Sequence, residues 1–289
     1  MILVSAARGK TGRHVIAALR AHRPDANIRA LSRGSYPATP GVESFPGDMN
    51  DPSCLARAMA GDDTVIHYAP GFHPRETAMG TGMIDAAQAH GIKRFIYISV
   101  LHPEIEDLVN HRAKLAVESY LLNSRMSWTV LRPQHYMQNI DVMRVLAQGV
   151  LAMPYPVETK LGHVDLQDLA EAVAKVALEA GHQFATYDVA ADVHLSVQEI
   201  AESVSRLAGK PIKSVAIDPY DVMPKIAAHW EGPMADYSID GLHRLFSYYR
   251  RHGIWGNSNV LKWLLGRSPA SFDDYVSRCL ARNGGSPAV

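Results

Sequence analysis

The chain has 289 residues, of which 47% are hydrophobic, and its formal net charge at pH 7 is +0; the balanced charge argues against nucleic acid as the main partner, because phosphate binding needs clustered Lys and Arg. Two cysteines far apart exclude a disulfide framework, and no apolar stretch approaches the length of a membrane span. Met1 leads directly into the first predicted strand, so we expect a cytoplasmic protein without a signal sequence or a membrane partner. The fourteen histidines form no H-x-x-x-H or H-x-H pair beside carboxylates in a way that suggests zinc, so no metal site is expected.

The first twelve residues predict a buried strand, a glycine loop and a helix. Ile2 to Val4 suit a central parallel strand, and the apolar residues of 14–19 lie on one helical face. The N–H groups at the start of such a helix favour an anion, so this loop is predicted to receive the pyrophosphate of a dinucleotide. Ala6 stands where the first glycine of a G-x-x-G-x-x-G loop would be. The residues predicted to contact the phosphates are Ala6, Arg8, Gly9, Lys10, Thr11 and Gly12.

Strand and helix patterns then alternate. Strands are predicted at 28–33, 42–45, 63–68, 94–99 and 128–131, separated by helices at 14–22, 53–59, 76–90 and 108–123. This alternation predicts parallel strands with right-handed crossovers, hence an α/β fold with a doubly wound Rossmann sheet. A ligand is expected at the carboxyl ends of the strands. Residues predicted to converge there are Ser5, Arg33, Asp48, 67–71, 99–103 and 133–139.

The pattern becomes less regular after Asn139. A helix at 169–178 precedes a strand at 186–190 that returns to the sheet, and Ser196 with Glu199 forms a predicted capping box. Further helices are predicted at 242–249, 260–265 and 272–280. We therefore expect an NAD(P)-binding Rossmann domain at 1–192 and a smaller, mostly helical C-terminal substrate lobe at 193–289, also contacted by 133–161. Its aromatic and apolar side chains either form core or bind ligand: Trp230, Met234, Tyr237 and Trp255.

Several short motifs, in this order, resemble the NmrA-like family of the atypical short-chain dehydrogenase/reductase superfamily. They are the glycine loop ending at Gly12, F-P-G-D at 45–48 with D-P at 51–52, I-K-R-F-I-Y-I-S at 92–99, N-H-R-A-K at 110–114 with Glu118, T-V-L-R-P at 129–133 with Y-M-Q-N at 136–139, and L-L-G-R at 264–267. The resemblance covers most of the chain. It implies either an NAD(P)-dependent reductase or a cofactor-sensing regulator without turnover.

The choice of cofactor can be argued from charge. An acidic residue at the end of the second strand would repel a 2′-phosphate, whereas this chain has Arg33 there, with Arg8 in the loop as a second guanidinium. Together they favour NADP(H), unless both are solvated surface arginines. The resemblance puts Asp48 near the adenine, with helix capping ahead of Pro52 as the alternative. Further cofactor-binding residues are expected to be Tyr68, Ala69, Pro70, Ser99, Lys114 and Pro133.

The resemblance also implies a catalytic Ser, Tyr and Lys, with Tyr and Lys four residues apart on one helix. Lys114 and Ser99 match two of these positions, but Asn110 stands where the tyrosine would be, and an amide cannot donate a proton as a general acid. Lys114 would hold the nicotinamide ribose and Ser99 a substrate carbonyl. The proton could come from His111, from Tyr136 or from a water on Asn110. The structural alternative for Lys114 is a surface ion pair with Glu118 at i+4.

These observations predict an NADP(H)-dependent oxidoreductase that reduces a carbonyl or a conjugated double bond of a small, partly apolar substrate. The alternative is an NADP(H)-sensing regulator that acts through a protein partner, and a non-redox enzyme on this fold also stays open. His67 is expected to flank the cofactor or to fill a half-buried strand end, His102 to lie near the nicotinamide, and His135 to line the substrate pocket. The sequence leaves a homodimer open.

Overall fold

Residues 1–226 and 232–283 are described by a computed structural model, so Trp230 lies outside the described residues. The chain divides into two units, one formed by Met1–Pro133 with Gln167–Asp188 and the other by Gln134–Leu166 with Val189–Val289. Each unit is described by itself. This division differs from the linear boundary expected at 192, because residues 134–166 leave the first unit and pack in the second.

The first unit is built on a seven-stranded sheet. Its strands, numbered along the whole chain, are β1 (Ile2–Val4), β2 (Ile28–Ser32), β3 (Val42–Pro46), β4 (Thr64–His67), β5 (Arg94–Ile98), β6 (Ser127–Pro133) and β10 (Ala185–Val189). Their order is β10-β6-β5-β4-β1-β2-β3, and β1 to β6 pair in parallel. The predicted doubly wound parallel sheet is confirmed, including the strand that returns near 186. The order reverses between β1 and β4, and ligands of such sheets bind at the carboxyl ends of the strands at this reversal.

Five helices accompany this sheet. They are α1 (Lys10–His22), α2 (Pro52–Ala58), α3 (Glu76–Ala89), α4 (Val109–Leu122) and α6 (Leu166–Leu178). Side chains of α2, α3 and α4 share one buried core with the strands, including the fully buried Phe95 and Leu3. Helices α3 and α4 approach closely, since a Cβ on Gly80 would collide with the side chain of Val117. Right-handed crossovers place α1 on the opposite face.

The second unit combines short strands with most of the remaining helices. Its strands are β7 (His135–Tyr136), β8 (Val150–Met153), β9 (Leu161–Val164), β11 (His194–Leu195) and β12 (Lys213–Ala216), and its helices are α5 (Val142–Gln148), α7 (Val197–Ala208), α8 (Pro219–Ile226), α9 (Pro233–His252), α10 (Asn259–Leu265) and α11 (Phe272–Asn283). The strands form one sheet in the order β11-β9-β7 and another of β12 and β8. Ser196 and Glu199 form the predicted capping box of α7. None of the helices within residues 1–226 and 232–283 combines the length and the hydropathy of a membrane-spanning segment.

Candidate functional site

The loop between β1 and α1 has the shape that its glycines predict. Ala6, in the place of the missing first glycine, has a backbone φ of 45°, a left-handed conformation that costs an alanine about 1 kcal/mol. Gly12 packs directly on the loop, because a Cβ there would lie 2.7 Å from both Cα and the carbonyl oxygen of Ala7. A side chain at Gly12 would therefore push the first turn of α1 away from β1.

Tyr68 completes this loop from the neighbouring strand. It follows β4 directly, and its hydroxyl accepts a hydrogen bond from the amide of Gly12 at 2.9 Å and donates one to the carbonyl of Ala6 at 2.8 Å. A Cβ on Gly9 would lie 2.6 Å from the same hydroxyl oxygen. The phenol thus satisfies one of the amides that the start of a helix leaves without an intrahelical partner. The shape of the loop depends on β4 as well as on β1.

Arg8 and Arg33 carry guanidinium groups toward the end of β2. Both side chains are exposed, and neither makes an ion pair or hydrogen bond with the described residues. Arg8 lies over the backbone just after Arg33, since a Cβ on Gly34 would collide with Arg8 Nη1. Burial lowers the pKa of His73, and the positive charges of Arg75 and Arg33 lower it further. The end of β2 therefore carries the cluster of positive charge that a 2′-phosphate would need.

Asp48 lies exposed at the end of the segment after β3. Its Oδ1 accepts hydrogen bonds from the amide of Asn50 at 2.9 Å and from its side-chain amide at 3.0 Å, which closes a local turn. The helix-capping alternative for Asp48 is wrong. Asp51 caps α2 instead, because its carboxylate accepts from the amide of Ser53 at 2.9 Å and stands directly before Pro52.

A buried polar cluster lies behind the loop, at the carboxyl ends of β1, β4 and β5. Ser5 Oγ and His67 Nδ1 are 2.9 Å apart, and the same hydroxyl donates to the carbonyl of Tyr68. Burial lowers the pKa of His67 to about 3, and the positive charge of Lys114 acts in the same direction. The neutral ring stacks on Tyr97, with centroids 5.9 Å apart. His67 therefore belongs to the interior of the first unit.

Lys114 is held by an acidic residue from another helix. Its Nζ lies 2.8 Å from Glu76 Oε1 and 5.9 Å from the ring centroid of Tyr97, and the side chains of Lys114 and Glu76 are only 11% and 1% exposed. Burial raises the pKa of Glu76 above its ordinary value, although Lys114 opposes the shift. The alternative of a surface pair with Glu118 is wrong, because Glu118 forms a bidentate pair with Arg132 on β6.

The other residues predicted for chemistry surround the end of β5 and the first turn of α4. Ser99 and Asn110 are buried, and Ser99 Oγ and Asn110 Oδ1 have no hydrogen-bond partner among the described residues. His111 Nδ1 lies 2.8 Å from the carbonyl oxygen of His102, a residue with a φ of 54°. Burial lowers the pKa of His111 to about 4. The neutral imidazole of His111 therefore donates its one N–H, on Nδ1, to the backbone carbonyl of His102.

The remaining predicted cofactor contacts follow neighbouring strands. Ala69 and Pro70 come directly after β4, and Pro133 ends β6, where its carbonyl accepts from the amide of Leu101 at 2.8 Å. Lys10 and Thr11 form the first turn of α1. The residues predicted to bind the cofactor thus all lie in the first unit.

Tyr136 and His135 lie in the second unit, on β7. The ring of His135 contacts those of His163 and Tyr249, with centroids 5.2 and 5.9 Å apart. Burial lowers the pKa of His163 to about 3. Tyr136, the next residue of β7, is half-buried. Among the other apolar residues named from the sequence, Trp255 is 54% and Met234 38% exposed, and Tyr237 lies on α9.

The first unit fits a dinucleotide. Three features lie at the end of the sheet where a dinucleotide binds. They are the close-packed glycine loop, the guanidinium groups of Arg8 in that loop and of Arg33 after β2, and the buried Ser99 Oγ and Asn110 Oδ1, which have no hydrogen-bond partner among the described residues. Among the described residues, no three His, Cys, Asp or Glu side chains come together as metal ligands. The fold and site define a dinucleotide-binding protein built on a Rossmann sheet.

Comparison with known proteins makes the assignment more specific. The model of the NmrA-like family matches residues 1–272, and the chain belongs to this family. It is 29% identical to the NAD(P)H azoreductase of Xenophilus azovorans, over 98% of this chain and 99% of that one. It is 25% identical to quinone oxidoreductase 2 of Escherichia coli K12, over 96% of this chain and 98% of that one.

Solved structures share the fold. The NADPH complex of the E. coli NADPH-dependent quinone oxidoreductase superposes with a TM-score of 0.78 at 24% identity, covering 97% of this chain and 100% of that one. The NADP(H) complex of the Citrobacter sp. triphenylmethane reductase gives a TM-score of 0.80 at 22% identity, covering 96% and 99%.

Sequence reasoning missed two buried residues of the site. Glu76 is the first residue of α3, and a carboxylate in the first turn of a helix is a signal that fits capping and the helix dipole equally well. Tyr97 lies within an apolar strand pattern, fully buried, and its hydroxyl has no partner among the described residues. Only the packing of α3 and α4 on β5 brings them to Lys114.

Proposed function

We propose that the protein is an NADP(H)-dependent oxidoreductase that reduces a carbonyl or a conjugated double bond of a small, partly apolar substrate. The observation that carries this proposal is the match, over nearly the whole chain, to relatives named as an azoreductase and a quinone oxidoreductase. The glycine loop and the unpaired guanidinium groups of Arg8 and Arg33 support the same cofactor. No observation favours the regulator without turnover.

Different residues of the first unit bind different parts of the cofactor. The loop from Ala6 to Gly12 accepts the pyrophosphate, and Arg33 with Arg8 pairs with the 2′-phosphate, which NAD(H) lacks. Asp48 stands near the adenine, as the family resemblance implies. These contacts favour NADP(H) over NAD(H), because only NADP(H) offers a second anionic group to the two guanidinium groups.

At the reacting end, bound NADPH supplies a hydride from its nicotinamide ring. Lys114 holds the ribose next to that ring and contributes positive charge where negative charge develops on the substrate. Ser99 donates a hydrogen bond to a substrate oxygen. Glu76 is a positioning residue, because its carboxylate holds Lys114 Nζ at 2.8 Å.

The proton must come from a group other than the family's tyrosine. His111 is neutral at pH 7 and its Nδ1 is bound to the carbonyl of His102, so we propose that it orients the loop after β5 and does not donate the proton. A water held by Asn110 is the remaining donor within the first unit, whereas Tyr136, the other donor expected from the sequence, belongs to the second unit. Replacing Tyr136 with Phe tests that expectation, since the variant loses the phenol and keeps Asn110.

The test is NADPH consumption across a panel of quinones, azo dyes, enones and aromatic ketones. At least one should be reduced, and Lys114→Ala should lower kcat by about 30- to 1,000-fold while weakening NADPH binding less. Lys93→Ala is the matched control, since that lysine is 80% exposed and pairs with Asp63. If NADPH binds but none of the panel is reduced, and a protein partner is retained only with nucleotide, the regulator is the correct reading.

A further inference from the structure

The second unit contains a cavity of about 320 Å³, and none of the residues that line it has a role in the proposed function. It lies where β8 and β12 end and α8 and α9 approach. Its described lining includes three proline rings, three aromatic rings and two basic side chains: Pro154, Pro156, Pro219, Tyr155, Tyr220, Phe246, His243 and Arg250. Cavities that bind small molecules measure about 300–1,000 Å³, so this one suits a ligand of one or two rings.

The walls of the cavity favour a flat, apolar ligand. Tyr155 and Phe246 contact each other, with centroids 6.4 Å apart, and both are buried. Tyr220, in contrast, is 63% exposed and gives the cavity an accessible aromatic ring. Its ring contacts that of His243, with centroids 5.3 Å apart. Aromatic and proline rings are rigid, so binding a planar ligand between them costs little conformational entropy.

One basic side chain of the cavity suits an anionic group. His243, Ser247 and Arg250 are spaced along one face of α9 and all line the cavity. Arg250 makes no ion pair or hydrogen bond with the described residues. The lining also contains one carboxylate, Asp218, whose Oδ1 accepts a hydrogen bond from the amide of Tyr220 at 2.8 Å at the start of α8 and which makes no ion pair with Arg250. The guanidinium is therefore available for a charged ligand oxygen.

We propose that this cavity binds a small aromatic carboxylate or sulfonate, with the ring between Tyr155, Phe246 and Tyr220 and the anionic group on Arg250. A carboxylate or sulfonate offers two coplanar or near-coplanar oxygens to the two N–H groups of a guanidinium. His243 donates a further hydrogen bond from its imidazole N–H. The site needs neither bound nucleotide nor turnover, so it stands or falls apart from the proposed function.

The experiment is calorimetric titration of the full chain with 2-naphthoate and with its neutral analogue 2-naphthamide. The wild type should bind naphthoate saturably and at least tenfold more tightly than naphthamide. Arg250→Ala should remove that preference by weakening naphthoate about ten- to hundredfold while leaving naphthamide unchanged. Tyr220→Ala should weaken both compounds, since it removes a wall that each contacts.

The matched control is Arg244→Ala. Arg244 is on the same helix but pairs with Asp240 at 2.8 Å and does not line the cavity, so this variant should bind both compounds as the wild type does. The proposal is overturned if the wild type binds neither compound, if Arg250→Ala keeps the preference for the anion, or if Arg244→Ala loses it equally. Circular dichroism of each variant establishes that it is folded.

Discussion

Removing either partner of the Lys114–Glu76 pair should destabilise the protein far more than removing both. The pair joins α4 to α3, its atoms are 2.8 Å apart, and its side chains are 11% and 1% exposed. A buried charge without its partner costs about 3–5 kcal/mol, whereas replacing both charges with apolar side chains of similar size is often neutral or stabilising. Lys114→Met and Glu76→Met should each lower the free energy of unfolding by about 3–5 kcal/mol.

The double variant should recover most of that loss. Burial raises the pKa of Glu76 despite the nearby Lys114, so the desolvation of the carboxylate outweighs the attraction within the pair. Removing both charges therefore removes a cost, and we expect the double variant within about 2 kcal/mol of the wild type. The pair would then be kept for function, and the double variant should be folded but strongly impaired in NADPH oxidation.

Urea unfolding at pH 7, followed by circular dichroism, gives the four free energies of this cycle. The pair of Lys93 and Asp63 is a matched control, because it has the same 2.8 Å distance but is 80% and 57% exposed. Lys93→Met should leave the unfolding midpoint unchanged. Additive losses in the double variant, or single losses as small as that of the control, would refute the reasoning.

Three further results are expected. Arg33→Asp should weaken NADPH binding about ten- to hundredfold and make NADH the tighter ligand in calorimetric titration, and equal affinities of both nucleotides for the wild type would contradict the assignment of Arg33. Ala6→Gly should keep NADPH affinity, with stability within about 1 kcal/mol of the wild type, because glycine adopts the φ of 45° without strain but gains freedom on unfolding. Gly12→Val should abolish NADPH binding, because its side chain would collide with the backbone of Ala7. If Gly12→Val still binds NADPH, the loop is misassigned. Burial lowers the pKa of His67 from 6.5 to about 3, so on acidification the unfolded chain takes up a proton that the folded chain does not, and the free energy of unfolding decreases as the pH is lowered. His67 should account for about 2 kcal/mol of the decrease between pH 7 and 5. Unfolding curves should show that His67→Asn lacks this part of the decrease, whereas His22→Asn, a change at an exposed histidine, keeps it.

The fold of the first unit was largely predictable because its signals are local. Apolar runs of four or five residues, a glycine loop and regular alternation with helices define a doubly wound sheet without knowledge of long-range contacts. Helix α1 begins at Lys10, four residues before the predicted start at 14, since the first turn forms directly after Gly9. Such an error concerns the position at which a helix begins and not the presence of the helix.

The second unit was less predictable for a physical reason. Strands β7 and β11 have two residues each and β8, β9 and β12 four, which is too short for a period-two pattern to stand out. Their partners are distant in sequence: β12 pairs in parallel with β8, about sixty residues earlier, with Lys213 opposite Val150. Only the packed chain brings such segments together.

The candidate site likewise contains residues that local sequence predicts and residues that only long-range packing brings together. Arg33 and the loop from Ala6 to Gly12 follow from local position alone. The partner of Lys114 does not, because sequence reasoning favours the neighbour at i+4, Glu118, whereas the buried face of α4 selects Glu76 from another helix. The two hydrogen bonds of the Tyr68 hydroxyl likewise depend on the register between β1 and β4.

In the proposed function, a hydride passes from NADPH to a substrate held by the site of the first unit. The most direct measurement uses NADPH carrying two deuterium atoms at C4 of the nicotinamide, an enone or aromatic ketone that the protein reduces, and mass spectrometry of the product. We expect one deuterium on carbon in every product molecule, formed at a rate that Lys114→Ala lowers far more than Lys93→Ala. Product without deuterium, or labelled product that forms as fast in Lys114→Ala as in the wild type, would show that the assignment is wrong.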